Sequence, residues 1–144
     1  MTRTEPDGAP ASIHHVELWV ADLASALPEW GWLFGRLGWT TYQDWPGGRS
    51  WRAADGAYVV LEQSPDVGPG PHRRTAPGMN HLALAAGRAT VDRIAAEGAG
   101  HGWTLLFPDR HPYAGGPEHY AAYLANGDGF EVELVWRGHA AKPR

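Results

Sequence analysis

Cysteine is absent from all 144 residues. That excludes a disulfide framework, a Cys-based zinc site and a thiol nucleophile, and it suits a cytoplasmic protein. Charge of one sign is also scarce: 12 Lys and Arg stand against 16 Asp and Glu, a net charge of −4. With no basic stripe, a nucleic-acid partner is not expected. No apolar run approaches the roughly 20 residues of a membrane span. The polar, Pro/Gly-bearing start lacks the apolar stretch of a signal peptide. Residues 1–11 and 138–144 read as flexible ends around one unit at 12–137. Aromatics, by contrast, are plentiful, with eight tryptophans. Large rings dominate the energetics of cores and interfaces, so most of the eight are expected there.

One short phrase occurs twice. His15-Val-Glu-Leu18 and His81-Leu-Ala-Leu84 share the pattern His-apolar-x-Leu, with their histidines 66 positions apart. Each half then ends in an apolar strand carrying glutamate, Tyr58-Val-Val-Leu-Glu62 and Phe130-Glu-Val-Glu-Leu-Val135. The His-to-Glu spacing is 47 in the first half and 52 in the second. A duplicated module that supplies one His and one Glu per copy is a plan for a metal site.

Between these phrases the pattern predicts βαβββ twice. The first module, 12–64, opens with a bulky strand at 13–21. Asp22 caps a helix whose apolar residues, Leu23 to Leu37, recur at helical spacing until Gly38 stops it. Pro28 inside that pattern marks a late start or a kink. Strands at 39–44, 50–54 and 57–63 follow, split by Pro46-Gly47-Gly48 and by the hairpin signal Asp55-Gly56. Residues 65–78 form a Pro/Gly-rich linker. The second module, 79–137, repeats the order: strand 80–85, helix 89–97, then strands at 103–107, 119–124 and 130–136. The fold class is therefore α+β, with two βαβββ modules forming a curved mixed sheet around a cleft and helices outside. Consecutive strand residues face opposite sides, so His15, Glu17 and Trp19 share one face and His14 takes the other. Glu131 and Glu133 also share a face.

These features resemble the vicinal oxygen chelate superfamily, which includes glyoxalase I, fosfomycin-resistance proteins, extradiol dioxygenases and bleomycin-resistance proteins. His15-Val-Glu-Leu-Trp-Val-Ala-Asp-Leu23 is similar to the family's opening strand and helix start. Asn126-Gly-Asp-Gly-Phe-Glu-Val-Glu-Leu134 is similar to its closing hairpin, with Asn126-Gly127 where the family usually has Asp-Pro. The resemblance implies a divalent metal (Zn, Ni, Co, Mn or Fe) in the cleft. It assigns the ligands to His15, Glu62, His81 and Glu133, or to His15, His81 and Glu133 in a three-ligand version. It also implies a small-molecule ligand and a homodimer, with the site within one chain or shared between two.

Glu133, between Val132 and Leu134, needs a partner if it is buried, because burying an unpaired charge is costly. Glu131 fits a solvated position better. Glu62, at a strand end, is a ligand, a proton-shuttling base or a solvent-facing residue. His119 is a candidate acid or base in a dioxygenase-like site, bordering a loop with Tyr113 that closes toward the cleft. Trp19 is placed in the pocket wall, while His72, with Arg73 and Arg74, reads as solvated linker. Two functions follow. One is a metal-dependent lyase, isomerase or dioxygenase acting on a substrate chelated through adjacent oxygens. The other is a metal-free antibiotic-resistance or sequestration protein holding a drug or natural product in a Trp-lined cleft.

Overall fold

A computed structural model describes residues 8–138. Residues 1–7 and 139–144, and with them most of the expected flexible ends and His139, lie outside the described residues. The first module is β1 (His15–Trp19), α1 (Leu23–Arg36), β2 (Thr40–Trp45), β3 (Gly48–Arg52) and β4 (Tyr58–Glu62). The second is β5 (Leu82–Ala86), α2 (Arg88–Glu97) with a 3₁₀ turn at Gly98–His101, β6 (Thr104–Leu105), β7 (Ala121–Ala125) and β8 (Glu131–Trp136).

Local chemistry explains these elements. The Asp22 side chain accepts from Ala24 N–H at 3.1 Å and caps α1. Leu23, Ala26, Trp30, Leu33 and Phe34 then bury one helical stripe. Pro28 lies within the helix and does not end it. Gly38 ends it with φ +78, a left-handed turn that glycine adopts without strain. In β1 and β4 the alternate residues Leu18, Val59 and Leu61 are buried against this layer.

Both modules follow the same path. Strand order is β1-β4-β3-β2 in one sheet and β5-β8-β7-β6 in the other. β1 runs parallel to β4 and β5 parallel to β8, while the remaining pairs are antiparallel. The fold is thus α+β with mixed sheets, as the sequence predicts. The two four-stranded sheets are not joined by strand pairing among the described residues.

Helix α1 connects the modules. Trp30 meets Trp103 edge-on at 4.9 Å and Phe130 at 5.7 Å, and all three are buried. Trp103 donates its Nε1–H to the Glu29 carbonyl at 3.0 Å, and Trp32 stacks on His101 at 4.3 Å. Trp30, Trp51 and Trp103 therefore serve the core, whereas Trp19 and Trp45 are exposed.

The linker also packs, which corrects the solvated reading of His72. Its ring stacks on Phe130 at 4.7 Å, and its Nε2–H donates to the Met79 carbonyl at 2.9 Å. Its backbone N–H donates to Asp128 O at 2.8 Å. The receiving β7–β8 turn is built by Asn126, whose Oδ1 accepts from the N–H groups of Asp128 (3.1 Å) and Phe130 (3.0 Å). Gly129 has φ +86, and a Cβ there would lie 2.1 Å from the His72 carbonyl oxygen, so only glycine lets the linker dock this closely.

Candidate functional site

The most concentrated polar cluster lies on the face of the second sheet opposite α2. Strand β8 places Glu131 and Glu133 there, both buried, at 4% and 5% exposure. Their alternation with Val132 and Leu134 sends the apolar pair into the core and both carboxylates to the other side. Glu133 is opposite Ala83 on β5 and Tyr123 on β7. The small, exposed Ala83 and Ala85 leave this face open.

Two histidines approach Glu133 from different directions. His119, in the loop before β7, is bonded through Nε2 to Glu133 Oε1 at 3.0 Å. His81, just before β5, brings Nε2 to 3.8 Å from Glu133 Oε2 and Nδ1 to 3.9 Å from Glu131 Oε2. Arg74 lies 3.8 Å from the same Glu131 oxygen. The solvated reading of Glu131 is therefore overturned: its carboxylate is buried between an imidazole and a guanidinium. Asn80 bridges the linker to the cluster, donating to the Arg74 carbonyl at 3.0 Å and meeting His81 Nδ1 through Oδ1 at 2.8 Å. The loop at 107–119 folds closely over this edge. A Cβ at Gly115 would lie 2.6 Å from both the His119 ring and the Tyr123 hydroxyl. Tyr113 stands exposed on the rim, edge-on to Tyr120 at 5.7 Å.

The first module presents a more aromatic face. His15, Glu17 and Trp19 are exposed together, and Trp19 Nε1–H donates to Glu17 at 2.9 Å. His15 stacks on Tyr58 at 4.8 Å, and its Nδ1 lies 2.9 Å from Nδ1 of His14. His14 therefore does not point to the far side. β1 begins at His15, so strand parity does not extend to the residue before it. Glu62 pairs in register with Trp19, whereas Glu17 pairs with Val60. Measured from its histidine, Glu62 lies one pleat farther along the sheet than Glu133 does, and Val60 occupies the matching place.

The structure brings His81, His119 and Glu133 together, while His15 and Glu62 make no contact with them. Among the described residues, no three His, Asp or Glu side chains converge closely enough to hold a metal ion. Arg74, Asn80 and Glu131 are the site residues that sequence reasoning missed. Asn80 had a signal in its adjacency to His81. Arg74 had none, because the linker's docking depends on distant contacts. A separate groove of about 680 Å³ runs between Trp19, the linker from Val67 to Met79, and the Gly127–Phe130 turn.

Fold, repeat and site together define a class. Residues 14–123 match the Glyoxalase/Bleomycin resistance protein/Dioxygenase superfamily, and the chain belongs to it. It is 40% identical over 126 residues to the uncharacterized protein YqjT of Bacillus subtilis (strain 168), covering 85% of this chain and 97% of that protein. A crystal structure of a candidate glyoxalase from Bacillus halodurans is 37% identical, with a TM-score of 0.79 over 86% of this chain and 94% of that one. A lactoylglutathione lyase from Agrobacterium tumefaciens shares the fold at 19% identity, with a TM-score of 0.61 over 89% and 95% of the two chains. No helix among the described residues is long and apolar enough to cross a membrane.

Proposed function

We propose that the chain is a cytoplasmic, divalent-metal-dependent enzyme acting on a small substrate that chelates through two adjacent oxygens, by lyase, isomerase or dioxygenase chemistry. The observation that carries this reading is the buried Glu133 carboxylate, with Nε2 of His81 at 3.8 Å and Nε2 of His119 at 3.0 Å. Imidazole nitrogen and carboxylate oxygen suit Zn, Ni, Co, Mn or Fe, and no thiolate competes in a chain without cysteine. His81, Glu133 and His15 would hold the ion. The register favours this three-ligand set, because Val60 stands where a fourth carboxylate matching Glu133 would sit. Glu62 is then the base at the edge of the first module, with Trp19 beside it in register as pocket wall. When bound, the metal supplies Lewis-acid chemistry, orienting the chelating oxygens and stabilising charge that develops on them. His119 anchors Glu133 through Oε1 and is the acid or base nearest the open face. Tyr113 borders the substrate entrance.

In this reading the working unit is a homodimer, with His15 of a second copy completing the site. Its support is the bare ligand face of the first module, where every residue of β2 is exposed and Trp19 is 43% exposed. The direct test is the metal content of protein purified without an affinity tag. The wild type carries about one divalent ion per chain and Glu133→Gln carries almost none. Equal, near-zero content in both, with no uptake of added Co²⁺ or Zn²⁺, refutes the reading. The groove beside Trp19 supports a second function, metal-free sequestration of a flat apolar compound. Ligand binding that survives strong chelators would favour it.

A further inference from the structure

In both modules the residue immediately before the repeated histidine is bonded to that histidine's Nδ1. Asn80 Oδ1 meets His81 Nδ1 at 2.8 Å, and His14 Nδ1 meets His15 Nδ1 at 2.9 Å. We infer that Asn80 is a positioning residue that fixes His81 in its Nδ1–H tautomer, leaving the Nε2 lone pair on the side of Glu133. The inference rests on the metal-site reading above for its purpose, though not for its geometry.

The direction of the Asn80 bond follows from its other partner. An amide has one donor end and one acceptor end. The Arg74 carbonyl, 3.0 Å away, can only accept, so it takes the Nδ2 end. Reversing the amide would set Oδ1 against that carbonyl and forfeit the bond. Oδ1 therefore faces His81, and it can only accept, so His81 Nδ1 must carry the hydrogen. In the neutral imidazole the lone pair then sits on Nε2, the atom 3.8 Å from the buried Glu133 oxygen. Free imidazole prefers the other tautomer only slightly, so a single well-oriented acceptor is enough to reverse it. Coordinating histidines are commonly held this way, through a bond from the nitrogen that does not bind the ion.

The linker completes the device. His72 pins it to the β7–β8 turn, which fixes the Arg74 carbonyl that orients Asn80. In the first module the neighbour is a second imidazole, which can serve as donor or acceptor, so no direction is fixed there.

The test is two-bond ¹⁵N–¹H correlation spectroscopy of the metal-free protein, at a pH above the ordinary imidazole range. In the wild type, His81 shows a protonated Nδ1 and a bare Nε2. Asn80→Ala moves the proton largely to Nε2, while Asn80→Asp, which keeps the acceptor but gives up the bond to the Arg74 carbonyl, returns most of the Nδ1–H form. Affinity for Co²⁺ falls about 10- to 100-fold in Asn80→Ala and recovers in Asn80→Asp. A wild-type His81 protonated on Nε2, or an unchanged tautomer in Asn80→Ala, overturns the inference. Should wild-type protein take up no Co²⁺, the metal-site reading fails, and the spectra alone still decide the tautomer clamp.

Discussion

Replacing Glu133 with glutamine separates a residue kept for stability from one kept for a ligand. The side chain is buried, and Glu131 lies two positions away on the same strand face. Two residues of a strand span about 7 Å. Two carboxylates at that distance, in an effective dielectric of about 20, repel by about 2 kcal/mol. Glutamine removes that repulsion and still offers Oε1 to His119, although the bond loses its charge assistance, about 1 kcal/mol. The chelator-treated protein should therefore gain about 1 kcal/mol, raising its Tm by about 2–4 °C for a chain of this size. Added Co²⁺ reverses the order, because an ion that binds only the folded state stabilises the wild type and not the variant. The assay is thermal unfolding of both proteins in excess chelator and in excess Co²⁺. A lower Tm for Glu133→Gln in chelator would refute the reasoning, showing that the carboxylate braces the fold through His81 and His119.

Two further outcomes are expected. Mixing His15→Ala with Glu133→Gln under subunit exchange should restore roughly a quarter of the wild-type metal sites, since half the dimers are mixed and each holds one intact site; no recovery would show that His15 acts within its own chain or not at all. Burial first, and the charge of Asp128 second, raise the Glu29 carboxyl above its ordinary value. Its contribution to stability is therefore full below the unfolded carboxylate value and is lost as pH rises through the folded one. Glu29→Gln should raise Tm near neutrality, with the gain disappearing on acidification, and a Tm difference independent of pH would contradict this.

Much of the fold is legible because short-range pattern decides it. The Asp22 cap, the α1 stripe and Gly38 all stand where periodicity and capping chemistry put them. Boundaries moved where side chains found distant partners. The strand expected at 119–124 begins at Ala121, because His119 closes a turn on Gly116 and its ring turns to Glu133. The strand expected at 103–107 shrinks to Thr104–Leu105, since Trp103 is drawn into the α1 interface and Phe107 takes φ +53. In the site, the repeat exposed His81 and alternation exposed Glu133. Alternation alone could not show that Glu131 is buried too, because that depends on His81 and Arg74 covering it. The spacing of 47 against 52 made Glu62 and Glu133 look equivalent, and only the pairing register separates them.

That register offset means the two halves have ceased to be interchangeable copies. Where the second carries a buried carboxylate, the first carries Val60, and the first answers with rings, His15 on Tyr58 and Trp19 beside Glu17. The two copies of the repeat thus differ in content, with buried carboxylates on one and stacked rings on the other. On the proposed reading, change at Tyr58 or Trp19 would alter which molecules meet the first module's face, while change at His15, His81 or Glu133 would alter whether a metal is held. The rings of the first module could then vary without disturbing the buried carboxylates of the second.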